Sequence, residues 1–291
     1  MKHSLLFFPL LFATIVATAQ TQTFTVNGVS FKMVKVEGGT FRMGANDRDA
    51  ADDEKPDHSV TLSSYSIGQT EVTQELWQAV MGKSLSQIIS EKNNWSSRGI
   101  GDKYPMYYVT WDDVHNFIDS LNRLTGKNFR LPTEAEWEFA ARGGKKSKHY
   151  KYAGSNTMGN VAWYKGNSGT IYQVTEESSY ELELYDDSDN KSKGTVAKTE
   201  GIIGQTHPVA QKSPNELGLY DMSGNVMEWC SDWYGEYSVY SQTDPQGASS
   251  GTFRVFRGGY WWSNAVECRV SHRRYDRNYY LSDNLGFRLA L

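Results

Sequence analysis

Three segments of the chain place apolar side chains at helical spacing behind a polar residue suited to cap a helix. The first segment follows Thr73 and ends at Gly82. In the second and third, Thr110 and Thr133 each precede an acidic residue by three positions, which is the spacing of a capping box. A pair of glycines at 143–144 follows the third segment. The pattern therefore predicts three short amphipathic helices separated by turns.

Strand-like segments precede these helices. Residues 31–36 and 41–44 flank a glycine turn, and this arrangement predicts a β-hairpin. Residues 60–67 predict one further strand. The chain also contains 26 glycines and 13% aromatic residues, which favours many turns with large side chains packed between them. We therefore predict an α+β fold that forms an irregular, loop-rich single domain.

The first residues carry the pattern of a signal peptide. Lys2 precedes an apolar run over 5–16, and Ala17-Thr18-Ala19 has the small-residue spacing of a cleavage site. A membrane anchor is the alternative, but the run is shorter than the roughly 20 residues that a spanning helix needs. We expect cleavage after Ala19, no transmembrane anchor in the mature chain, and a periplasmic or secreted protein.

Residues 20–291 are predicted to form one domain, because no linker rich in proline, glycine and serine divides them. A polar, acidic stretch over about 165–206 is predicted to be a surface insertion in this domain. The formal net charge is −4 and the pI is about 5.9. No basic stripe is present, so a nucleic-acid partner is not expected.

The two cysteines, Cys230 and Cys268, admit two interpretations. In an oxidising compartment they could form a disulfide, and otherwise one or both could be reactive thiols. The sequence does not give the distance between them, so both interpretations stay open.

Aromatic and arginine side chains are dense in the last third of the chain, where Tyr260, Trp261 and Trp262 follow one another. Arginine beside tryptophan or tyrosine often fixes loops by stacking. The same aromatic side chains bind ligands well when they are exposed. The sequence leaves a structural role and a ligand-binding role open for this region.

Seven short sequence motifs occur along the chain, and their order is informative. They are EGGTFRMG (37–44), EVTQ (71–74), YVTWDD (108–113), RLPTEAEWE (130–138), GLYDMSGNVMEW (218–229), RGG (257–259) and NLGFR (284–288). In this order they resemble formylglycine-generating enzymes, the sulfatase-modifying factor family, and the resemblance covers about residues 31–291. It implies a single irregular α+β domain related to C-type lectin-like folds.

The resemblance also indicates which residues would take part in catalysis. Catalytic members of the family bind copper(I) through two cysteine thiolates and use dioxygen to convert a sulfatase cysteine to formylglycine. Here the second thiol falls on Cys268, whereas the first position holds Ser263, and a protonated hydroxyl is a poor ligand for copper(I). Copper is therefore not expected, unless Cys230 lies close enough to supply the missing thiol. Asn284 matches an asparagine that lines the substrate groove of the family.

A calcium site is implied in the same way. Relatives hold one ion with an acidic or amide side chain, two backbone carbonyls and a glutamate, and these positions match Asp221, Gly224, Val226 and Glu228. Oxygen ligands of this mix suit Ca²⁺. A polar turn that needs no ion is the alternative.

Two functions follow from these observations. The first is a non-catalytic, exported binding or structural module that recognises a protein or glycan through Asn284, Tyr260, Trp261 and Trp262. The second is a formylglycine-generating-type oxidoreductase that uses Cys268 with altered metal ligation on a sulfatase cysteine or another substrate. Serine at position 263 favours the first function.

Overall fold

The protein is described by a computed structural model. The residues described are 21–92, 95–173, 182–185, 191–194 and 200–291, without the side chains of 170–203. The predicted signal peptide over 1–19 lies outside them, as does much of the predicted insertion, including its acidic residues at 176, 177, 181, 186, 187 and 189. Within the described residues, no helix combines the length and the apolar character that crossing a bilayer requires.

The α-helices of the described chain are α1, Gln74–Met81; α2, Leu85–Ser90; α3, Trp111–Thr125; and α4, Glu134–Ala141. The three predicted helices are confirmed as α1, α3 and α4. Thr73, Thr110 and Thr133 cap them, because each hydroxyl accepts a backbone N–H of the first turn. α1 ends at Gly82, whose φ of 72° suits glycine. α2 is not among the predicted helices, since six residues are too few to show a clear periodicity.

The strands of the first half are β1, Thr21–Val26; β2, Val29–Val36; β3, Gly39–Met43; β4, His58–Leu62; and β5, Tyr65–Gly68. Those of the second half are β6, Gly169–Gln173; β7, Leu182–Tyr185; β8, Lys191–Gly194; β9, Glu200–Gly204; β10, Met227–Trp233; β11, Gln242–Thr243; β12, Arg254–Arg257; β13, Arg273–Asp276; and β14, Leu285–Gly286. They form sheets of order β1-β2-β5, β11-β4-β3 and β13-β12-β10-β14, with β6–β9 and β7–β8 as antiparallel pairs. We call β13-β12-β10-β14 the C-terminal sheet.

The predicted hairpin between 31–36 and 41–44 is wrong. β2 pairs with β1 and β5, whereas β3 pairs with β4. The predicted strand over 60–67 is likewise divided into β4 and β5. A Cβ on Gly38 would lie 2.3 Å from the carbonyl oxygen of Leu62, so the glycine lets the corner between β2 and β3 pack against the end of β4. Long-range strand pairing therefore overrides the local hairpin pattern.

Aromatic packing joins α1 and α3 to the end of the chain. The Trp77 ring on α1 stacks on the Phe117 ring of α3 with centroids 5.3 Å apart. Phe117 also meets Phe287 edge-on at 5.3 Å. These three side chains belong to one hydrophobic cluster, which supports β14 and the segment after it.

Buried ion pairs join α4 to the C-terminal sheet. Arg257 on β12 donates to Glu134 over 2.9 Å and to Glu138 over 2.5 Å. Arg273 on β13 donates to both carboxylate oxygens of Glu134 over 2.8 and 2.7 Å. Charged groups are tolerated inside a protein when they are paired in this way. Arg257 and Arg273 therefore have the structural role that the sequence left open beside ligand binding.

Candidate functional site

A surface cavity of about 340 Å³ lies beside the loop that follows β12, and we call it the tryptophan pocket. Its lining residues are Arg98, Gly204, Tyr260, Trp261, Trp262, Asp283 and Asn284. Four of these, Tyr260, Trp261, Trp262 and Asn284, are the residues that the sequence proposes for binding. The structure therefore brings these four side chains to one place.

Glycines and hydrogen bonds hold the aromatic loop in position. Gly258 and Gly259 have φ angles of 101° and 71°, which residues with side chains rarely adopt. The backbone N–H of Trp261 donates to the carbonyl of Asn225 over 3.0 Å, and its indole N–H donates to the carbonyl of Asp283 over 3.3 Å. One bond thus holds the backbone of Trp261, and the other holds its ring.

The end of the predicted insertion forms part of the pocket wall. A Cβ on Gly204, the last residue of β9, would lie 2.3 Å from the Trp262 ring and 2.7 Å from the Trp261 ring. Two residues later, the backbone N–H of Thr206 donates to the carbonyl of Arg98 over 2.7 Å. The end of the predicted insertion therefore packs against Trp261 and Trp262.

The tryptophan pocket combines aromatic faces with a charge pair and an amide. Arg98 Nε donates to Asp283 Oδ2 over 2.9 Å, and the guanidinium lies 5.1 Å from the centroid of the Trp261 ring. Within the described part of the chain, no donor reaches the buried Oδ1 atom of Asn284. A ligand that presents an apolar face would complement the aromatic side chains of the pocket.

Cys268 and Ser263 are buried and are not among the residues that line the tryptophan pocket. Ser263 Oγ accepts the backbone N–H of Tyr260 over 3.2 Å. Burial, followed by the charge of Glu267, raises the pKa of the Cys268 thiol well above its usual range. A buried, protonated thiol is a poor nucleophile and a poor metal ligand.

Cys230 does not complete a thiol pair with Cys268. Both cysteines are free and buried, so the structure contains no disulfide between them. Cys230 packs in the hydrophobic cluster that contains α4, whereas Cys268 packs in a different cluster with Tyr152 and Met158. Burial also raises the pKa of the Cys230 thiol well above its usual range. Neither cysteine is an exposed, reactive thiol in this structure.

The residues matched to calcium ligands lie around the turn that leads into β10. Asp221 Oδ2 accepts the backbone N–H of Ala210 over 2.8 Å, whereas its buried Oδ1 has no partner among the described residues. Glu228 is placed differently. Its carboxylate accepts Nε and Nη2 of Arg288 over 2.5 Å each and the indole N–H of Trp137 over 2.7 Å. Asp221 therefore has a free oxygen, whereas Glu228 already has two side-chain partners.

Gly224 and Val226 occupy the turn between these two carboxylates. Gly224 has a φ of 83°, and its N–H donates to the carbonyl of Gly258 over 2.7 Å. In the described ranges, no three histidine, cysteine, aspartate or glutamate side chains gather in a metal-binding arrangement. A cation at this turn would therefore use backbone carbonyls, such as those of Gly224 and Val226, beside Asp221. Ca²⁺ accepts this mixture of oxygen ligands.

Sequence reasoning missed Glu71, Arg98 and Asp283. Asp283 precedes Asn284 and could have been found from that position, whereas Arg98 lies in an irregular segment with no pattern to identify it. Glu71 begins one of the family-like strings but is given no role there. It is buried, and its Oε2 accepts Asn225 Nδ2 over 3.3 Å. Burial, followed by the charge of Asp221, raises the pKa of Glu71 well above its usual range.

Comparisons with known proteins agree with this geometry. Residues 19–291 match the family model described as the sulfatase-modifying factor enzyme 1-like domain. The chain is 34% identical to the chaperone protein LppX of Paenibacillus barcinonensis, over 92% of this chain and 94% of that protein. It is 28% identical to the formylglycine-generating enzyme of Streptomyces coelicolor, over 88% of each. It is 26% identical to the inactive C-alpha-formylglycine-generating enzyme 2 of Bos taurus, over 91% of this chain and 89% of that protein.

A solved structure supports the same assignment. Treponema denticola variable protein 1 superposes with a TM-score of 0.71 and 32% identity, and the match covers 94% of this chain and 99% of that one. Because the family model spans nearly the whole chain and the fold agrees, the chain belongs to the sulfatase-modifying factor family, whose relatives include formylglycine-generating enzymes and inactive homologues.

Proposed function

We propose that this protein is an exported, non-catalytic member of its family that binds a protein or glycan ligand in the tryptophan pocket. One observation carries the proposal. The thiol retained at the catalytic position, Cys268, is buried outside the pocket, whereas aromatic side chains line the pocket itself.

Catalysis on the family pattern would need Cys268 as a thiolate beside a second thiolate. Ser263 occupies the position of that other thiolate, and its hydroxyl oxygen already accepts the backbone N–H of Tyr260. Access to the thiol is closed from the side of Gly259, where a Cβ would lie 2.6 Å from Cys268 Sγ. These contacts support a structural role for the Ser263–Cys268 pair.

The tryptophan pocket has the composition of a recognition site. Tryptophan, tyrosine and arginine contribute most often to binding hot spots, and Trp262, Tyr260 and Arg98 are found together here. Relatives named as a chaperone and as an inactive enzyme are compatible with a binding role for this scaffold.

Calcium enters the proposal as a structural ion at the turn over 221–228. This turn supports the pocket, because Asn225 accepts the N–H of Trp261 over 3.0 Å and Met227 donates to the carbonyl of Asn284 over 2.8 Å. An ion that stiffens the turn would therefore stiffen the pocket. We expect ligand affinity to fall when calcium is removed with EDTA.

Ligand screening with matched variants tests the binding role. The protein without its predicted signal peptide is applied to glycan arrays and to peptide arrays, and the strongest ligand is then measured by calorimetry. Trp262→Ala should weaken binding by at least about tenfold, because it removes an aromatic anchor. Tyr240→Ala is the control, since Tyr240 is 78% exposed and does not line the pocket. Equal effects of the two substitutions would contradict a site at the tryptophans.

A second experiment addresses catalysis. The reduced protein is titrated with copper(I) against a competing chelator, and oxygen consumption is followed on a peptide that carries a sulfatase motif. We expect neither tight binding nor turnover. Tight copper binding that disappears in Cys268→Ala, together with turnover, would overturn the non-catalytic role and favour an oxidoreductase.

A further inference from the structure

We propose that a cavity between α4, β10 and the loop over 234–248 binds an alkylammonium group through the carboxylate of Asp232. We call it the Asp232 cavity. It has a volume of about 150 Å³, and its lining includes His58, Asp232, Trp233, Glu236, Tyr237 and Gly247. Its lining residues differ from those of the tryptophan pocket, so this second site is independent of the proposed function.

Asp232 has one carboxylate oxygen without a partner, although the residue is only 3% exposed. Its Oδ2 accepts the backbone N–H of Glu134 and the hydroxyl of Ser231 over 2.9 Å each. No hydrogen bond between described residues reaches Oδ1. A Cβ on Gly247 would lie 2.9 Å from Oδ1, so the free oxygen lies on the side of the cavity that Gly247 lines. A donor bound there would remove the cost of leaving this oxygen unpaired.

The arginine in the cavity directs its hydrogen bonds to other groups. Arg273 donates to both carboxylate oxygens of Glu134 and to the carbonyls of Asp53 and Gly235. All three nitrogen atoms of its guanidinium therefore already have acceptors. Arg273 neither pairs with Asp232 nor favours an anionic ligand in the cavity.

Arg254 on β12 attracts Asp232 but is also held by other groups. It donates to the carbonyl of Ser231 over 2.6 Å. Its guanidinium lies between the rings of Trp111 and Trp233, at 3.8 and 3.4 Å from their centroids. The attraction of Arg254 thus acts without a hydrogen bond to the free oxygen of Asp232.

The surroundings favour the protonated form of Asp232 when the cavity is empty. Burial, followed by the charge of Glu134, raises the pKa of Asp232 to about 7, and Glu136 contributes to the rise although Arg130 binds its carboxylate. The other titratable or charged side chains near Asp232 or in its cavity are His58, Cys230, Glu236, Arg254 and Arg273. A bound cation would stabilise the carboxylate that these groups leave partly protonated.

An alkylammonium group matches the walls of the cavity. Its N–H groups form charge-assisted hydrogen bonds with a carboxylate, and its methylene groups pack against aromatic rings such as those of Trp233 and Tyr237. His58 Nδ1 lies 3.3 Å from the carbonyl oxygen of Pro56. When Nδ1 donates to this oxygen, the neutral ring presents Nε2 as a further acceptor.

The size and the ligand set favour an organic cation over a metal ion. A cavity of about 150 Å³ holds a molecule of about the size of benzene. The described ranges contain no group of three histidine, cysteine, aspartate or glutamate side chains placed to bind a metal. The exposed carboxylate of Glu236 adds negative charge on the solvent side of the cavity.

NMR titration of the protein without its predicted signal peptide tests the site with n-butylammonium, which has the shape of a lysine side chain. The backbone amide signals of Gly235 and Gly247, which line the cavity, should shift and saturate, with a Kd of about 1 mM for so small a ligand. n-Butanol has a similar shape and no charge, so it should not saturate these signals. A lysine-containing peptide separates the two sources of the group: tighter binding than n-butylammonium indicates a protein ligand, and weaker binding indicates a free amine.

A matched pair of variants tests the role of Asp232. Asp232→Asn should weaken n-butylammonium binding by at least about tenfold, because it removes a hydrogen bond to a charged group. The fold should persist, since the asparagine oxygen can still accept the N–H of Glu134. Glu236→Gln removes the same charge from the exposed part of the cavity and should change the affinity by less than about threefold.

The pH dependence of the wild type gives a measurement that needs no variant. n-Butylammonium stays protonated, as lysine does with its pKa of about 10.4. With a pKa of about 7, the ionised fraction of Asp232 rises from about a tenth at pH 6 to about nine-tenths at pH 8. The affinity should therefore be about tenfold higher at pH 8.

Four results would overturn the proposal. They are unchanged Gly235 and Gly247 signals in n-butylammonium, equal binding of n-butanol, equal losses in Asp232→Asn and Glu236→Gln, and an affinity that does not rise between pH 6 and pH 8. The third result would mean that general electrostatic attraction, rather than contact with Asp232, explains the binding.

Discussion

Replacing Arg257 by methionine would test whether buried ion pairs hold α4 against the C-terminal sheet. The Arg257 side chain is 0% exposed and donates to Glu134, to Glu138 and to the carbonyl of Val270. Methionine fills part of the same volume but has no donor. Two buried carboxylates and one carbonyl would each lose a partner. We therefore expect a large loss in the free energy of unfolding.

The neighbouring contacts set the size of this loss. Removing one partner of a buried ion pair costs about 3–5 kcal/mol, because the other charge stays buried. Here Glu134 keeps both bonds from Arg273, and Glu138 keeps Arg142 and the backbone N–H of Gly44. The remaining partners offset part of the penalty. We expect a loss of about 3 kcal/mol, at the lower end of that range.

Urea unfolding of the wild type and variants provides the measurement. Arg42→Met is the matched control, because the Arg42–Asp57 pair has one side chain that is 60% exposed. Exposed pairs contribute about 0–1 kcal/mol, so this control should remain close to the wild type. A loss for Arg257→Met that is no larger than the loss for Arg42→Met would refute the structural role of the buried pairs.

Three further changes have expected outcomes. Phe117→Ala should lower the free energy of unfolding in urea by about 3–5 kcal/mol, because it opens a cavity between aromatic rings, and a loss below about 1 kcal/mol would contradict that packing. Burial, followed by the charge of Glu134, raises the pKa of Asp232 to about 7. Stability from the protonated form should therefore be lost as the pH rises from about 4 to about 7, and Asp232→Asn should remove this dependence; parallel pH profiles of the two proteins would contradict it. Gly259→Ala should lower the melting temperature, since its Cβ would lie 2.6 Å from Cys268 Sγ at a φ of 71°, and an unchanged melting temperature would show that the contact relaxes freely.

The elements that the sequence predicts correctly are those with local signals. Thr73, Thr110 and Thr133 cap their helices because a hydroxyl and the N–H groups of the first turn are close neighbours in the chain. The hairpin prediction failed because its outcome depends on residues far away. The corner at Gly38 packs against Leu62, and no property of 31–44 alone predicts that contact.

The candidate site shows the same difference between local signals and contacts of distant residues. Tyr260, Trp261, Trp262 and Asn284 were identified from their type and from the family resemblance, and the structure gathers them in one pocket. Arg98 could not be identified, because its place depends on an ion pair with Asp283 near the other end of the chain. The different environments of Glu71 and Glu228 were equally hidden. Both are glutamates in family-like strings. They differ in partners that lie far away in the chain, which are Arg288 and Trp137 for Glu228 and Asn225 for Glu71.

The way the loop over 258–264 is held explains how this scaffold can lose a catalytic thiol and keep a pocket. Backbone bonds position the loop, from the N–H of Gly224 to the carbonyl of Gly258 and from the N–H of Trp261 to the carbonyl of Asn225. Exchange of a sulfhydryl for a hydroxyl at position 263 changes none of these bonds. Ser263 instead gives the N–H of Tyr260 an acceptor. Copper chemistry of the family type requires both thiolates, whereas the backbone bonds of this loop do not depend on the side chain at position 263, so a serine there is compatible with the same pocket.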